Sequence, residues 1–272
     1  MTTVQQTRVT TQTIRRYKQA GQRFAVLTAY DFLTAAAFDQ AGIPILLVGD
    51  TLGIFMQGHD TTLPVTLEAM AYHCEIVARA ARRALVVGDL PFGSYHTVEA
   101  GTQNAAKLVK QAGVQAVKVE GRQDELIKHL TQLGIPVMGH LGLTPQAYHQ
   151  LGGNKVQART QAAAEQLRQD AIALAQAGVF ALVLEAVPNV AAREVTAALS
   201  IPTIGIGAGP DCDGQVLVAA DMLGLHDGHT PRFVKQYAHL QTQITTAAEC
   251  FMEEVSQGNY PNAQHSYDWA LK

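Results

Sequence analysis

Short apolar runs alternate along the chain with longer stretches whose apolar residues recur at helical spacing. The runs predict strands at Phe24–Thr28, Ile45–Val48, Leu85–Gly88, Ala116–Val119, Val137–Gly139, Ala181–Leu184, Thr203–Ile206 and Gln215–Ala219. Continuous hydrophobicity of this kind marks parallel strands buried on both faces. Between them, helical periodicity covers Phe32–Gln40, Leu67–Arg82, Val98–Gln111, Gln123–Gln132, Ala162–Ala177 and Ala191–Leu199. Gly42, Gly113, Gly134 and Gly178 stand where helices stop.

A polar helical stretch from Thr10 to Gln19 precedes the first strand, and the tail from Pro231 to Val255 reads as further helix. The turn-rich end, Gln257–Trp269, is expected to pack on the body or on a neighbouring subunit. Repeated strand and helix units require right-handed crossovers and parallel pairing. Eight strands between Phe24 and Ala219 favour a closed (β/α)8 TIM barrel over an open doubly wound sheet, with an additional N-terminal helix and a C-terminal helical tail. The chain after Asp211 leaves little room for a helix before the eighth strand. With no linker, repeat or low-complexity segment, residues 1–272 read as a single domain.

Composition narrows the function class. The 20 basic and 23 acidic residues leave a formal charge of −3, too balanced and dispersed for a nucleic-acid surface. No apolar run approaches the roughly 18–20 residues of a membrane span, and the N-terminus lacks the apolar core of a signal peptide. We therefore expect a cytoplasmic protein without a membrane partner. Cys74, Cys212 and Cys250 are far apart and outside any CxxC spacing, so they are expected as reduced thiols.

The strand ends carry the candidate chemistry. Asp31, Asp50, Asp89, Glu120, His140 and Glu185 follow the first six strands in turn, and a barrel brings such positions to one cavity. An Asp after a strand is also a common turn residue or helix N-cap, a reading that weighs most on Asp31. Asp50, Asp89 and Glu120 close the runs ILLVGD, LVVGDL and AVKVEG. Three carboxylates at one mouth repel unless neutralised, and a hard divalent cation with oxygen ligands does this.

Lys118 shares a strand face with Glu120, so the two also form a candidate buried ion pair. Glu185, in ALVLEAVP, has no basic neighbour in sequence, and such isolation suits a general base. His140 reads as a satisfied core histidine, a ligand or a substrate contact, and is carried forward as the last. His59 is a candidate to cover the site, whereas His96 and His149 suit solvated loops. The GIGAG run after the seventh strand suits a phosphate cradle or a tight turn.

These residues lie in segments that resemble the ketopantoate hydroxymethyltransferase family. The segments are LTAYD to Asp31, LLVGDTLG from Leu46, QGHDTTLPVT from Gln57, GDLPF to Phe92, VKVEG from Val117, GHLGLTPQ to Gln146, LVLEAVP from Leu182, IGIGAG from Ile204 and GHTPRFVK to Lys235. The resemblance covers nearly the whole chain after about Arg15. It implies a TIM barrel close in fold to the phosphoenolpyruvate mutase and isocitrate lyase superfamily, assembled as a homo-oligomer, often a decamer.

It further implies Mg²⁺ held by Asp50 and Asp89 with Glu120 in its first or second coordination shell. Asp50, Thr51, Asp89 and Lys118 would contact substrate, and Glu185 would accept a proton. The implied reaction adds a hydroxymethyl group from 5,10-methylenetetrahydrofolate to 2-oxoisovalerate, through a Mg²⁺-stabilised enolate, to give ketopantoate for pantothenate synthesis. Thr51 stands where the family suggests Ser, Asn154 for Tyr, Ala158 for Gly and Ala186 where Cys is frequent. Two rival readings are a Mg²⁺-dependent lyase of the isocitrate lyase type and a non-catalytic oxo-acid-binding oligomer. The first needs a cysteine in a loop resembling KKCGH, which the chain lacks. Retention of Lys118, Glu120 and Glu185 speaks against the second, since idle buried charges are costly.

Overall fold

The computed structural model describes residues 7–228 and 230–267. Asp268 and Trp269, the last residues of the expected turn-rich end, lie outside them, as does His229 of the GHTPRFVK segment. The chain divides into two compact units, the first ending at Ala219 and the second starting at Ala220.

In the first unit, strands β1 (Phe24–Thr28), β2 (Ile45–Val48), β3 (Leu85–Asp89), β4 (Ala116–Glu120), β5 (Val137–Gly142), β6 (Ala181–Glu185), β7 (Thr203–Ile206) and β8 (Gly214–Leu217) pair in sequence order and close into a barrel. β8 runs parallel to β1, with Phe24 opposite Gly214 and Leu27 opposite Leu217. Helix α1 (Thr11–Gln19) precedes the barrel, and α2 (Phe32–Gln40), α3 (Leu52–Phe55), α4 (Leu67–Ala80), α5 (Val98–Lys110), α6 (Asp124–Gln132), α7 (Tyr148–Leu151), α8 (Gln161–Ala177) and α9 (Asn189–Ala198) fill its connections. Short α3, α7 and a single turn at Pro145–Ala147 carry no long apolar period and were not legible in the sequence.

Helix starts follow from side-chain chemistry. The hydroxyls of Thr66, Thr97 and Thr160 accept the amides of Ala69, Ala100 and Ala163, satisfying donors that an α-helix leaves open. Asp39 of α2 accepts the amides of Arg82, Arg83 and Ala84, which turns the chain toward β3. This is why α4 ends at Ala80 rather than at the expected Arg82.

Side chains two apart share a face of a strand, and one such set lines the barrel. Phe24 and Val26, Ile45 and Leu47, Leu85 and Val87, Ala181 and Val183, with Ala116, Met138, Ile204 and Val216, form one buried cluster. Val9, Ile14 and Tyr17, from α1 and the segment before it, pack on the same cluster, so α1 plugs the barrel at the N-terminal ends of its strands. As expected, no helix separates β7 from β8. Residues 207–213 instead run back along the barrel wall, where Cys212 Sγ would stand 3.0 Å from a Cβ on Gly205. Lys18 of α1 pins this segment through Asp213 at 2.8 Å, and the Arg23 guanidinium donates to the carbonyls of Pro210 and Cys212.

In the second unit the expected continuous helix from Pro231 is corrected: α11 spans Leu240–Ser256, and only the short α10 (Ala219–Leu223) precedes it. Backbone bonds hold the intervening chain in turns, with the amides of Tyr237 and Gln241 donating to the carbonyls of Met222 and Gly224. Gly224 permits this with φ +58°, and a Cβ there would sit 2.6 Å from the Ala238 carbonyl oxygen. Among the described residues, no helix is long and apolar enough to cross a membrane.

Ile14 is fully buried against the barrel floor. Ile14→Ala should therefore lower unfolding free energy by about 2–5 kcal/mol in a urea titration. A midpoint equal to wild type would show that α1 does not close the barrel.

Candidate active site

The face that is apolar at the barrel floor becomes ionisable toward the strands' C-terminal ends. On β3 the inward series is Leu85, Val87, Asp89; on β4 it is Ala116, Lys118, Glu120; on β6 it is Ala181, Val183, Glu185. Strand register then sets the partners. Asp89 is paired with Lys118 and Glu120 with His140, while Val183, two residues before Glu185, is paired with His140.

The contacts follow that register. Lys118 Nζ lies 2.7 Å from Asp89 Oδ1 and 3.8 Å from Glu120 Oε1. His140 stands between two carboxylates, its Nδ1 3.3 Å from Glu120 and its Nε2 3.2 Å from Glu185. Asp50, just beyond β2, gives its amide to Asp89 Oδ2 at 3.1 Å. Thr51 shares a hydroxyl hydrogen bond with buried Tyr30. These seven expected site residues, Asp50, Thr51, Asp89, Lys118, Glu120, His140 and Glu185, line one cavity of about 50 Å³.

Other candidates take one of their alternative readings or need correction. Asp31 does not join the cavity; it is exposed and caps α2 by accepting the amides of Leu33 and Thr34. His59 is exposed and absent from the cavity lining. His149 sits on α7 rather than on a loop. The GIGAG glycines serve the chain's return: Gly207 and Gly209 have positive φ, and a Cβ on Gly209 would meet Asn189 Oδ1 at 2.6 Å. Glu185, without a basic neighbour in sequence, has His140 beside it in space.

Sequence reasoning gave no role to Gln146, which follows β5 in a single tight turn. Its side-chain amide donates to Asp50 Oδ2 at 2.9 Å and to the Leu90 carbonyl at 3.0 Å, while its backbone amide donates to Glu120 Oε2 at 3.0 Å. Its carbonyl oxygen accepts the Tyr95 hydroxyl. One buried glutamine, through its carboxamide and its backbone amide, thus ties together two carboxylates and the loop after β3. The signal available in sequence was a polar Gln within the otherwise family-like GHLGLTPQ.

The electrostatics show a surplus of acid. Burial pushes the Asp50 carboxyl up to about 8, with the charges of Asp89 and Glu120 adding to the effect. Burial also raises Asp89, against the pull of Lys118. Burial opposes ionisation of Glu120 as well, yet His140 and Lys118 prevail and hold it below its ordinary value. For His140 burial would favour the neutral ring, but Glu120 and Glu185 outweigh it and hold the ring at about 9. Lys118 is likewise raised by Asp89, Glu120 and Asp50 in spite of its burial.

Among the described residues no three His, Cys, Asp or Glu side chains are gathered into a ready cage for a metal ion. Asp89 Oδ1 and Glu120 Oε1 are nevertheless buried oxygens without a hydrogen-bond partner, since their short contacts to Lys118 and His140 lack hydrogen-bond geometry. Buried carboxylate oxygens that are ion-paired yet not hydrogen-bonded, beside an acid surplus, fit Mg²⁺, which takes one or two carboxylates and completes its octahedron with water and substrate oxygens.

Gln146→Leu keeps the side-chain volume similar but deprives Asp50 of its donor and Tyr95 of its acceptor. It should cost about 1–3 kcal/mol in chemical denaturation. An unchanged midpoint would show that the carboxamide bonds contribute no net stability.

A model of the ketopantoate hydroxymethyltransferase family matches residues 8–263. The chain is 51% identical to a 3-methyl-2-oxobutanoate hydroxymethyltransferase of Moorella thermoacetica, covering 97% of this chain and 99% of that one. It is 52% identical to the protein of the same name from Thermobifida fusca, covering 96% and 94%. Among solved structures, a 2,3-dimethylmalate lyase of the PEP mutase/isocitrate lyase superfamily superposes with a TM-score of 0.61 at 16% identity, covering 94% of this chain and 88% of that one. A phosphonopyruvate hydrolase complex with oxalate and Mg²⁺ gives 0.60 at 12% identity, covering 94% and 92%. These two likenesses bear on the fold alone. The sequence matches span almost the entire chain, and it belongs to the ketopantoate hydroxymethyltransferase family.

Proposed function

We propose that this chain transfers a hydroxymethyl group from 5,10-methylenetetrahydrofolate to 3-methyl-2-oxobutanoate, giving ketopantoate, at the cavity ringed by Asp50, Asp89, Glu120 and Glu185. The observation that carries the reading is how the acids divide. Asp50, Asp89 and Glu120 are buried around Lys118, whereas Glu185 is partly exposed, with its carboxylate against His140. A charge-binding half and a proton-accepting half are what removal of a proton next to a carbonyl requires.

Asp50 and Asp89 would hold Mg²⁺, with Glu120 as a direct or water-mediated partner. Bound there, the ion supplies Lewis-acid polarisation of the 2-oxo group and charge balance for the substrate carboxylate. Lys118 offsets negative charge on the same side, and Thr51, anchored by Tyr30, offers a hydroxyl to the substrate. Glu185 takes the proton from C3 and the carbon electron pair forms the new C–C bond to the one-carbon unit. Overall both C–N bonds of the folate methylene carbon break, one water supplies the new hydroxyl, its remaining proton and the C3 proton go to the two nitrogens, and tetrahydrofolate leaves. His140, held between Glu120 and Glu185, orients the accepting carboxylate and contacts substrate.

The lyase rival would place a cysteine at the reacting centre, and none lines this cavity. The same reading includes a homo-oligomer, expected as a decamer. Its support here is α11, which has no buried residue and exposes Ile244, Phe251, Met252 and Val255 along one helical face. A cytoplasmic setting suits three free cysteines.

In D₂O with Mg²⁺, the protein should exchange the C3 proton of 3-methyl-2-oxobutanoate, followed by NMR. Glu185→Gln should slow that exchange by a factor of at least about 10², the scale of a lost general base, while oxo-acid binding stays near wild type. Full exchange in this variant removes Glu185 from the role. Asp89→Ala should weaken Mg²⁺ binding at least tenfold by calorimetry, whether or not turnover is measured. Wild-type affinity in that variant refutes the ligand assignment.

A further inference from the structure

The cavity of about 50 Å³ accommodates little beyond a small oxo acid, so the bulky one-carbon donor must bind outside it. A cleft of about 500 Å³ adjoins it and shares Glu120 as a wall. We propose that this cleft, lined by Phe92, Tyr95, Gln123, Gln146 and Gln150, receives the pterin head of the tetrahydrofolate co-substrate, an assignment that rests on the reaction proposed above.

Phe92 is 55% exposed, on a loop whose neighbours are fixed. Ser94 Oγ donates to the Pro91 carbonyl, Asn104 donates to the Ser94 carbonyl and the Tyr95 hydroxyl is bound to Gln146. A large apolar ring held out into a cleft by a braced loop is a stacking platform for a flat heterocycle. The carboxamides of Gln123 and Gln150 both donate and accept, as the mixed amino and oxo edge of a pterin requires. Position favours delivery as well. Glu120 borders both cleft and cavity and is joined to Glu185 through the single imidazole of His140, so the cleft opens beside the carboxylates that would hold and deprotonate the oxo acid.

Beyond Tyr95 and Gln123 the cleft continues into a second one of about 630 Å³ where Arg122 and Lys128 stand beside Asp124 and Glu125, so its charge is balanced and the assignment rests on the first cleft alone.

The test compares wild type with Phe92→Ala and Gln123→Ala, both surface substitutions. The Gln123 side chain makes no capping bond to α6, so its removal leaves the helix start intact. Expected for Phe92→Ala is a rise of about tenfold or more in the KM for 5,10-methylenetetrahydrofolate and in the calorimetric Kd for tetrahydrofolate, the size of one lost stacking contact. Gln123→Ala should shift both in the same direction. The KM for 3-methyl-2-oxobutanoate and its folate-free C3 exchange should stay within about twofold, because neither residue lines the inner cavity. Unchanged donor KM and tetrahydrofolate affinity in both variants overturn the assignment, as does a loss of exchange as large as the loss of donor binding. Phe92-dependent tetrahydrofolate binding in a wild-type protein that exchanges no C3 proton would instead refute the reaction and keep the cleft.

Discussion

Everything at the mouth of this barrel is arranged around one buried ammonium group. Lys118 sits 2.7 Å from Asp89 and 3.8 Å from Glu120, with Asp50 close enough to help raise its pKa. Taking a lysine out of water is unfavourable by several kcal/mol unless anions compensate, and here the anions overcompensate. The excess appears as the raised pKa of Asp50. A site built this way folds with its lysine neutralised and keeps an excess of carboxyl groups around it.

The same parity that packs the barrel floor aims these groups. Because side chains alternate at a period of two, the set containing Leu85 and Val87 has to continue through Asp89, and the set containing Ala181 and Val183 through Glu185. A shift by one residue would bury the carboxylates under the outer helices and turn the apolar floor outward. Packing of Val9 and Ile14 below thus helps fix the register that sets the ion pairs above, which couples core stability to active-site geometry.

This logic explains how much of the molecule was legible beforehand. The eight strands were readable because parallel strands are apolar throughout, and the site's acidic residues Asp50, Asp89, Glu120 and Glu185 stood where an apolar run broke off. The structure carries β3, β4 and β6 one residue further, so that Asp89, Glu120 and Glu185 are their last members. What escaped sequence reading depended on long-range partners. Gln146 is a neutral residue in a short turn, and only folding brings it to Asp50, 96 positions away. The Pro231–Val255 tail went wrong for the related reason that its first residues carry helical spacing but find turn-forming backbone partners in Met222 and Gly224. Asp31 was separable from its fellow acids, because a helix follows it directly and its carboxylate caps that helix's own open amides.

The placement of Glu185 shows how the fold spends local strain to fix one carboxylate. Ala186, immediately after it, has φ +47°, and Ala158 has φ +53°; among the described residues they are the non-glycine positions in the left-handed region. Each costs on the order of 1 kcal/mol for an L-residue, so the surroundings must hold them there. Ala186 donates its amide to the Ile206 carbonyl and accepts the amide of Gln157 on its own carbonyl, while the Glu185 carbonyl accepts the Leu143 amide at 2.8 Å. That last bond is possible because Gly142 lacks a side chain: a Cβ there would stand 2.2 Å from the Glu185 carbonyl oxygen. β5, β7 and the segment before α8 therefore grip the backbone on both sides of the proposed base. Ala158 holds the left-handed backbone that glycine adopts most easily, next to Gln157, whose amide bonds the Ala186 carbonyl. The strap that positions Glu185 thus holds an alanine in left-handed backbone on each of its two segments.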